Sequence, residues 1–488
     1  MRRVAWLRLD QTPRGMVRPV WIRKAVAALA LDLSRSGAGR TGPRGPEGLH
    51  TTPGRPSRKP SGAVMVSPMT VMEGARGLVV ALRGPALTRW LRVVGPAWVV
   101  MLADVDAPSV ITAGKAGTES GYALLLPLFA LVPILYLVQE MTSRLALVTG
   151  RGHAELIRVR YGVAWAGVAV AGMAVINFVA YVAEFAGIAL GATILGIPAP
   201  VAIVAALAIH ASMVLTCSYA WFERLALALS LALFSFVVLA LAGHPDPARI
   251  AAGLNPLSAH PVGYFSLAVA MVGASIMPWM IFYQQSASVD KKLTREDLRN
   301  SRVETLVGAF ASQALMAAIV IAAAVAMEAA ASTKALPANL VDLPEGLGRL
   351  ANGGAGWLIA VGLIGSGLLA LVVVSLSAAW GIGELMGWPR SLNLKPSEAR
   401  RFYAVYLAEV LPAAVVVLAS GDLVRVAVGA MVFNVIALAL PLAFLVRLTS
   451  DRELLGDLAN SPRHTVLLWL LTAVLLICGV VAMAEYLF

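Results

Sequence analysis

Charge is scarce in this chain and cysteine scarcer. Only 14% of its 488 residues are charged, against roughly a quarter in an average soluble domain. Cys217 and Cys478 are the only cysteines, and both sit in or beside apolar runs. So far apart, they make neither a disulfide framework nor, by themselves, a metal site. A Gly-x-x-x-x-Gly-Lys-Ser/Thr loop for nucleotide phosphates is absent, which removes ATP as an energy source bound by this chain. There is no His-rich zinc motif and no nucleophile–base constellation, so nothing points to a membrane enzyme.

The charge that exists is uneven. Residues 1–92 hold 17 Lys/Arg and 4 Asp/Glu, which leaves 22 basic and 23 acidic residues for the rest. The net charge of +12 therefore belongs to the N-terminal tail, and the pI of about 10.0 does not indicate a nucleic-acid partner. Ser34–Ser61 is rich in Gly, Pro, Arg and Ser and reads as disordered. Residues 1–91 superficially resemble an organelle transit peptide. The plainer reading is a dispensable tail, or a start placed upstream of Met65, Met69 or Met72. The apolar stretch Ala25–Leu31 is too short to cross a bilayer.

From residue 92 to 488 the chain is a series of apolar runs of about 20 residues, long enough to span roughly 30 Å of hydrocarbon as helix. Lipid offers the backbone no hydrogen-bond partners, so the spans must be helical. The reading is an all-α polytopic membrane protein of about 11 transmembrane helices, at 93–120, 122–147, 162–195, 197–217, 222–243, 263–289, 303–329, 355–386, 402–419, 424–447 and 464–487. Lys and Arg concentrate in the tail and in the loops after even-numbered spans, for example Arg144, Arg151, Arg158 and Arg160, then Lys291, Lys292, Arg295, Arg299 and Arg302. By the positive-inside rule the N-terminus is cytoplasmic, and an odd number of spans puts the C-terminus outside.

Spans 1 and 6 are interrupted alike. Span 1 carries Asp104, Asp106 and Pro108 at its middle, and span 6 carries Met277 and Pro278. Proline lacks an N–H and clashes with the preceding turn, so each helix breaks just before it. A carboxylate at mid-membrane is costly and marks function by default. Paired interruptions five spans apart point to a midplane site in an inverted-repeat transporter. The repeats are residues 92–243 and 261–447, with 464–487 an extra helix.

These residues resemble the NRAMP (natural resistance-associated macrophage protein) family of divalent metal transporters over about residues 92–456. Asp106-Ala107-Pro108-Ser109 stands where the family carries Asp-Pro-Gly-Asn. Ala274-Ser-Ile-Met277-Pro278-Trp279 stands for Ala-x-x-Met-Pro-His. Arg144 to Leu156 and Thr449 to Gly456 match further family stretches. The resemblance implies a LeuT-type 5+5 fold with discontinuous helices 1 and 6 and a metal between the breaks. The implied ligands are the Asp106 carboxylate, Ser109, the Ala103 and Ala274 carbonyls and the Met277 thioether, with Asn434 near the family's span 10 glutamine. A thioether favours Mn²⁺, Fe²⁺ or later metals over Ca²⁺ and Mg²⁺.

Three departures bear on proton coupling and on the choice of metal. Trp279 replaces the usual His, and Tyr181-Val-Ala-Glu184 replaces Asp-x-x-Glu, so Tyr181, Glu184 and Trp279 occupy positions of the implied proton route or gate. Asp104 lies outside the family pattern. It is either a second ionised ligand, which suits a hard ion such as Mg²⁺, or a partner of Lys115. Elsewhere, Glu140 is expected to pair with Arg144, and His210, Gln313 and Glu384 to bond between helices. Gln284, Gln285 and Asp290 either line an inner vestibule or mark the end of span 6. Gly362, Gly365 and Gly367 fit close helix contact.

The expected function is secondary or facilitated uptake of divalent cations across the inner membrane. Mg²⁺ transport without proton coupling and an organic-solute carrier on the same fold are the alternatives. No cofactor is expected beyond the transported metal, with protons as the candidate co-substrate. The partners are the metal ion and the bilayer, with the chain a monomer or an oligomer that the sequence does not specify.

Overall fold

The computed structural model describes residues 95–214, 218–255, 263–329, 345–419 and 423–487. The N-terminal tail, Cys217 and the end of the fourth expected span lie outside them, as does Lys334. The described residues belong to one unit, Glu73–Phe488.

Among them, helices take up every expected span. Span 1 is α1a (Pro96–Ala103) and α1b (Ala107–Ser120), bent by 51°. It is followed by α2 (Leu125–Thr149), α3 (Val163–Ile194), α4 (Ala199–Val214) and α5 (Tyr219–Ala242). Span 6 is α6a (Tyr264–Gly273) and α6b (Pro278–Asp290). Then come α7 (Leu298–Ala329), α8 (Gly356–Met386), α9 (Arg400–Ala419), α10 (Leu423–Thr449) and α11 (Pro462–Leu487). Short helices His153–Tyr161, Pro247–Gly253 and Glu345–Asn352 occupy stretches read as linkers.

The spans differ in what surrounds them. α8 is enclosed, with most of its apolar length buried, whereas α11 is largely uncovered and exposes Leu467, Leu470 and Ile477. An apolar helix face that meets no protein meets lipid. Small residues set the closest approaches. A Cβ on Gly365 would lie 2.3 Å from the Ala232 Cβ of α5, and one on Gly367 would lie 2.7 Å from Ile188 of α3.

Polar side chains tie helices together where water cannot. Glu140 pairs with Arg144 at 3.2 Å and also with Arg302 at 2.8 Å. His210 of α4 bonds Ser375 of α8 at 3.0 Å. Gln284 donates to Ser143, Gln285 meets His153 and the Arg151 carbonyl, and Asp290 accepts from Leu392 N–H. These three residues fasten α6b to its neighbours. Glu384 accepts from Ser286 at 2.6 Å and from Ala154 N–H at 3.0 Å, so it caps the helix His153–Tyr161.

Candidate metal site

Each break is built by its own chain chemistry. α1a ends at Ala103, and its last carbonyls lose their i+4 partners. Asp106 is the N-cap of α1b: Oδ1 accepts the Ser109 N–H at 2.8 Å, and Pro108 sits in the first turn, where a missing N–H costs nothing. α6a ends at Gly273, and Pro278 restarts the helix as α6b. Met277 caps α6b in an extended conformation, its N–H reaching the Met280 sulfur at 3.3 Å.

The two breaks touch. The Ser109 hydroxyl donates to the Ala274 carbonyl at 3.1 Å across 165 residues of sequence. The Gln313 side chain of α7 steadies the second break by accepting from Ser275 at 3.1 Å. Gly273 lies so close to α10 that a Cβ there would be 1.8 Å from the Met431 carbonyl oxygen. Likewise Gly187 of α3 admits Ala107, whose Cβ would be 2.2 Å from a Cβ on Gly187.

Carboxyl groups crowd the first break. Glu184 of α3 accepts the Ala107 N–H at 3.2 Å, and its carboxyl neighbours that of Asp106. Asp106 Oδ2 and Glu184 Oε1 are covered and receive no donor among the described residues. Both oxygens of Asp104, also fully buried, are in the same condition. Carboxylates this close repel one another until a proton or a cation stands between them. The expected alternative for Asp104 fails: Lys115 pairs with Glu119 at 3.6 Å, on the same helix. The α1b helix runs away from the break, so Lys115 and Asp104 diverge.

The other expected residues divide. Met277 is buried at the second break, but its sulfur already accepts the Trp279 indole N–H at 3.1 Å. Tyr181 points away from the breaks and donates to Glu409 of α9 at 2.6 Å. Asn434 reaches the Met431 sulfur at 3.8 Å, and the same sulfur is 3.8 Å from the Ser109 hydroxyl.

Three participants escaped the sequence reading. Met431 brings a second thioether to Ser109 and had no signal, since methionine in an apolar span is ordinary packing. Glu409 and Glu304 did have one, each being an acid inside an apolar span. Glu304 of α7 accepts Gly95 N–H at 2.6 Å and Trp98 N–H at 2.9 Å, capping α1a.

The family described as natural resistance-associated macrophage protein-like, or Nramp, matches residues 97–485, most of the chain. This chain belongs to the Nramp family. Among its Nramp relatives, the divalent metal cation transporter MntH 1 of Pseudomonas aeruginosa is 32% identical over 407 residues, which cover 77% of this chain and 87% of that protein. The divalent metal cation transporter MntH of Bradyrhizobium diazoefficiens is 26% identical over 425 residues, or 81% and 90% of the two chains. In fold, the chain is similar to the Eremococcus coleocola manganese transporter, with a TM-score of 0.69 at 19% identity over 83% of this chain and 88% of that one. A nucleobase-cation-symport-1 family transporter in a closed conformation gives a TM-score of 0.51 at 14% identity, covering 80% and 90%. The all-α, multi-pass Nramp fold with broken first and sixth spans is thus the one expected.

Proposed function

We propose that this chain carries divalent transition-metal cations, Mn²⁺ or Fe²⁺ in character, inward across the cytoplasmic membrane by alternating access. One observation carries the reading. The Ser109–Ala274 hydrogen bond joins the two breaks at 3.1 Å, beside an Asp106 oxygen that is buried and receives no donor among the described residues. A dication between the breaks would take Asp106 Oδ2, the Ser109 hydroxyl, the Ala103 and Ala274 carbonyls and the Met277 sulfur, with Asn434 close by. One charge, neutral oxygens and a soft sulfur together suit a borderline metal. Alternating basic loops support a cytoplasmic N-terminus and an outer C-terminus. Residues 92–243 and 261–447 act as the two repeats, with 1–91 a basic tail by composition.

Asp104 supports a second reading. Its two unpartnered oxygens lie two residues from Asp106, and a second negative charge suits a hard ion that keeps its water, such as Mg²⁺. The test is uptake of Mn²⁺ and Mg²⁺ by the chain in liposomes, beside Asp106→Ala and Met277→Ala. Mn²⁺ uptake lost in both variants supports the transition-metal reading. Mg²⁺ uptake that survives Met277→Ala but not Asp106→Ala supports the hard-ion one. Flux of neither ion sinks metal transport and reopens the organic-solute carrier.

A further inference from the structure

Span 9 holds a carboxyl group that the metal site does not use. Glu409 lies at the joint of α9, between the segments Arg400–Ala408 and Val410–Ala419. Its stem reaches the surface of the helix bundle, but its carboxyl turns inward. Oε2 accepts the Tyr181 hydroxyl at 2.6 Å, and Oε1 is covered and receives no donor among the described residues.

The surroundings of this carboxyl are polar but hold no cation. α3 contributes Tyr181. α8 contributes Ser375, which lies beside the Tyr181 phenol and bonds His210 Nε2 of α4 at 3.0 Å. α9 itself contributes Tyr406, whose ring stacks on His210 at 4.2 Å and whose hydroxyl donates to the His210 carbonyl at 3.1 Å. Among the described residues no lysine or arginine is set against Glu409.

A carboxyl group inside an apolar span, without a cation, is costly to keep and typically marks an ion or proton path. Oε1 has the one property a proton site needs, a covered lone pair that no donor among the described residues takes. Tyr181 can extend the path, because a phenol hydroxyl both donates and accepts. Tyr181 and Glu184 are three residues apart and so share a face of α3. Glu184 in turn holds the Ala107 N–H at the start of α1b. The Glu409–Tyr181 pair thus joins α9 to α3, the same helix whose Glu184 holds the broken span.

We propose that Glu409, hydrogen-bonded to Tyr181, is a proton-binding site of this carrier, apart from the metal site, and that its occupancy is linked to metal movement. A hydronium ion gives its proton to Oε1, water leaves, and the carboxylate becomes a neutral acid that can donate in turn. The transport readout rests on the metal reading above, so a second readout needs no transport.

The full chain is placed in liposomes with Mn²⁺ outside and a pH dye inside. Uptake by the wild type should acidify the lumen, and its initial rate should change by up to about tenfold per pH unit across the titration of one carboxyl group. Glu409→Gln still accepts from Tyr181 but cannot ionise. It should bring acidification to background and hold the rate within about twofold over the same pH range. A purely structural tie would instead slow uptake equally at every pH. Infrared difference spectra of purified protein between acidic and alkaline pH should show a protonated-carboxyl band component that Glu409→Gln removes. Wild-type acidification and pH dependence in Glu409→Gln would overturn the proposal, as would an unchanged infrared band. Wild-type Mn²⁺ uptake without acidification would overturn it too, and leave metal transport standing. Absence of any wild-type Mn²⁺ uptake would count against the metal reading, and the infrared band would then decide for or against Glu409.

Discussion

The indole nitrogen of Trp279 donates to the sulfur of Met277 at 3.1 Å. The one soft ligand expected at the second break therefore already serves as a hydrogen-bond acceptor. A cation that takes the sulfur competes with this bond, whose net worth is about 0.5–1.5 kcal/mol. Trp279→Phe keeps most of the ring and removes the donor. It should lower the apparent KM for Mn²⁺, and for the softer Cd²⁺, roughly two- to tenfold. An unchanged or higher KM for both ions would mean that the sulfur does not reach the metal.

The approach of α3 to the first break depends on Gly187, because a Cβ there would lie 2.2 Å from that of Ala107. Gly187→Ala should push α1b off α3 at a cost of about 1–3 kcal/mol. Thermal unfolding in detergent and metal uptake should both fall. The double variant Ala107→Gly/Gly187→Ala moves the methyl group across the interface and should recover much of both. If it recovers neither, this contact is not what limits the packing.

Glu304 caps α1a through the Gly95 and Trp98 N–H groups. A carboxylate at a helix N-terminus both fills orphan donors and meets the positive end of the helix dipole. Glu304→Ala should destabilise the fold by roughly 1–2 kcal/mol, seen as a lower melting temperature. Glu304→Gln, which still accepts, should lie between the variant and the wild type. Equal melting temperatures for all three would remove the cap from the account.

His153, on the helix between α2 and α3, is fully buried, with Nδ1 3.2 Å from Gln285 Oε1. Burial pushes its pKa down from 6.5 to about 4, although Gln285 and the Pro441 carbonyl act to raise it. The unfolded chain then binds this proton before the folded chain does. Its contribution to stability is complete above about pH 6.5 and is lost as pH falls toward about 4. Unfolding measured in detergent over that window should be less steep with pH in His153→Gln than in the wild type. The same slope in both would refute the assignment.

How much of this was legible beforehand depends on the kind of signal. Apolar runs set the number of spans, and the prolines at 108 and 278 located both breaks to within a few residues, because lipid and ring geometry act locally. The reading of Asp104 as a partner of Lys115 failed since it needed the chain to fold back, whereas Lys115 pairs with Glu119 one turn further along α1b. Glu409 and Glu304 were visible as acids in apolar spans, but their partners were not. Tyr181 is 228 residues from Glu409, and Gly95 is 209 from Glu304.

The sequence by itself determined the helices, their breaks, the excess of basic residues in alternate loops and the acids placed within the membrane, for each of these follows from residues within a turn or two of one another. Only the tertiary structure decided that Ser109 meets Ala274, that the Met277 sulfur is held by Trp279, that Met431 joins Ser109, and that Tyr181 turns to α9 instead of to the metal site. Those choices depend on which helices approach closely and at what rotation, and small residues such as Gly187 and Gly273 set that approach through packing between distant segments.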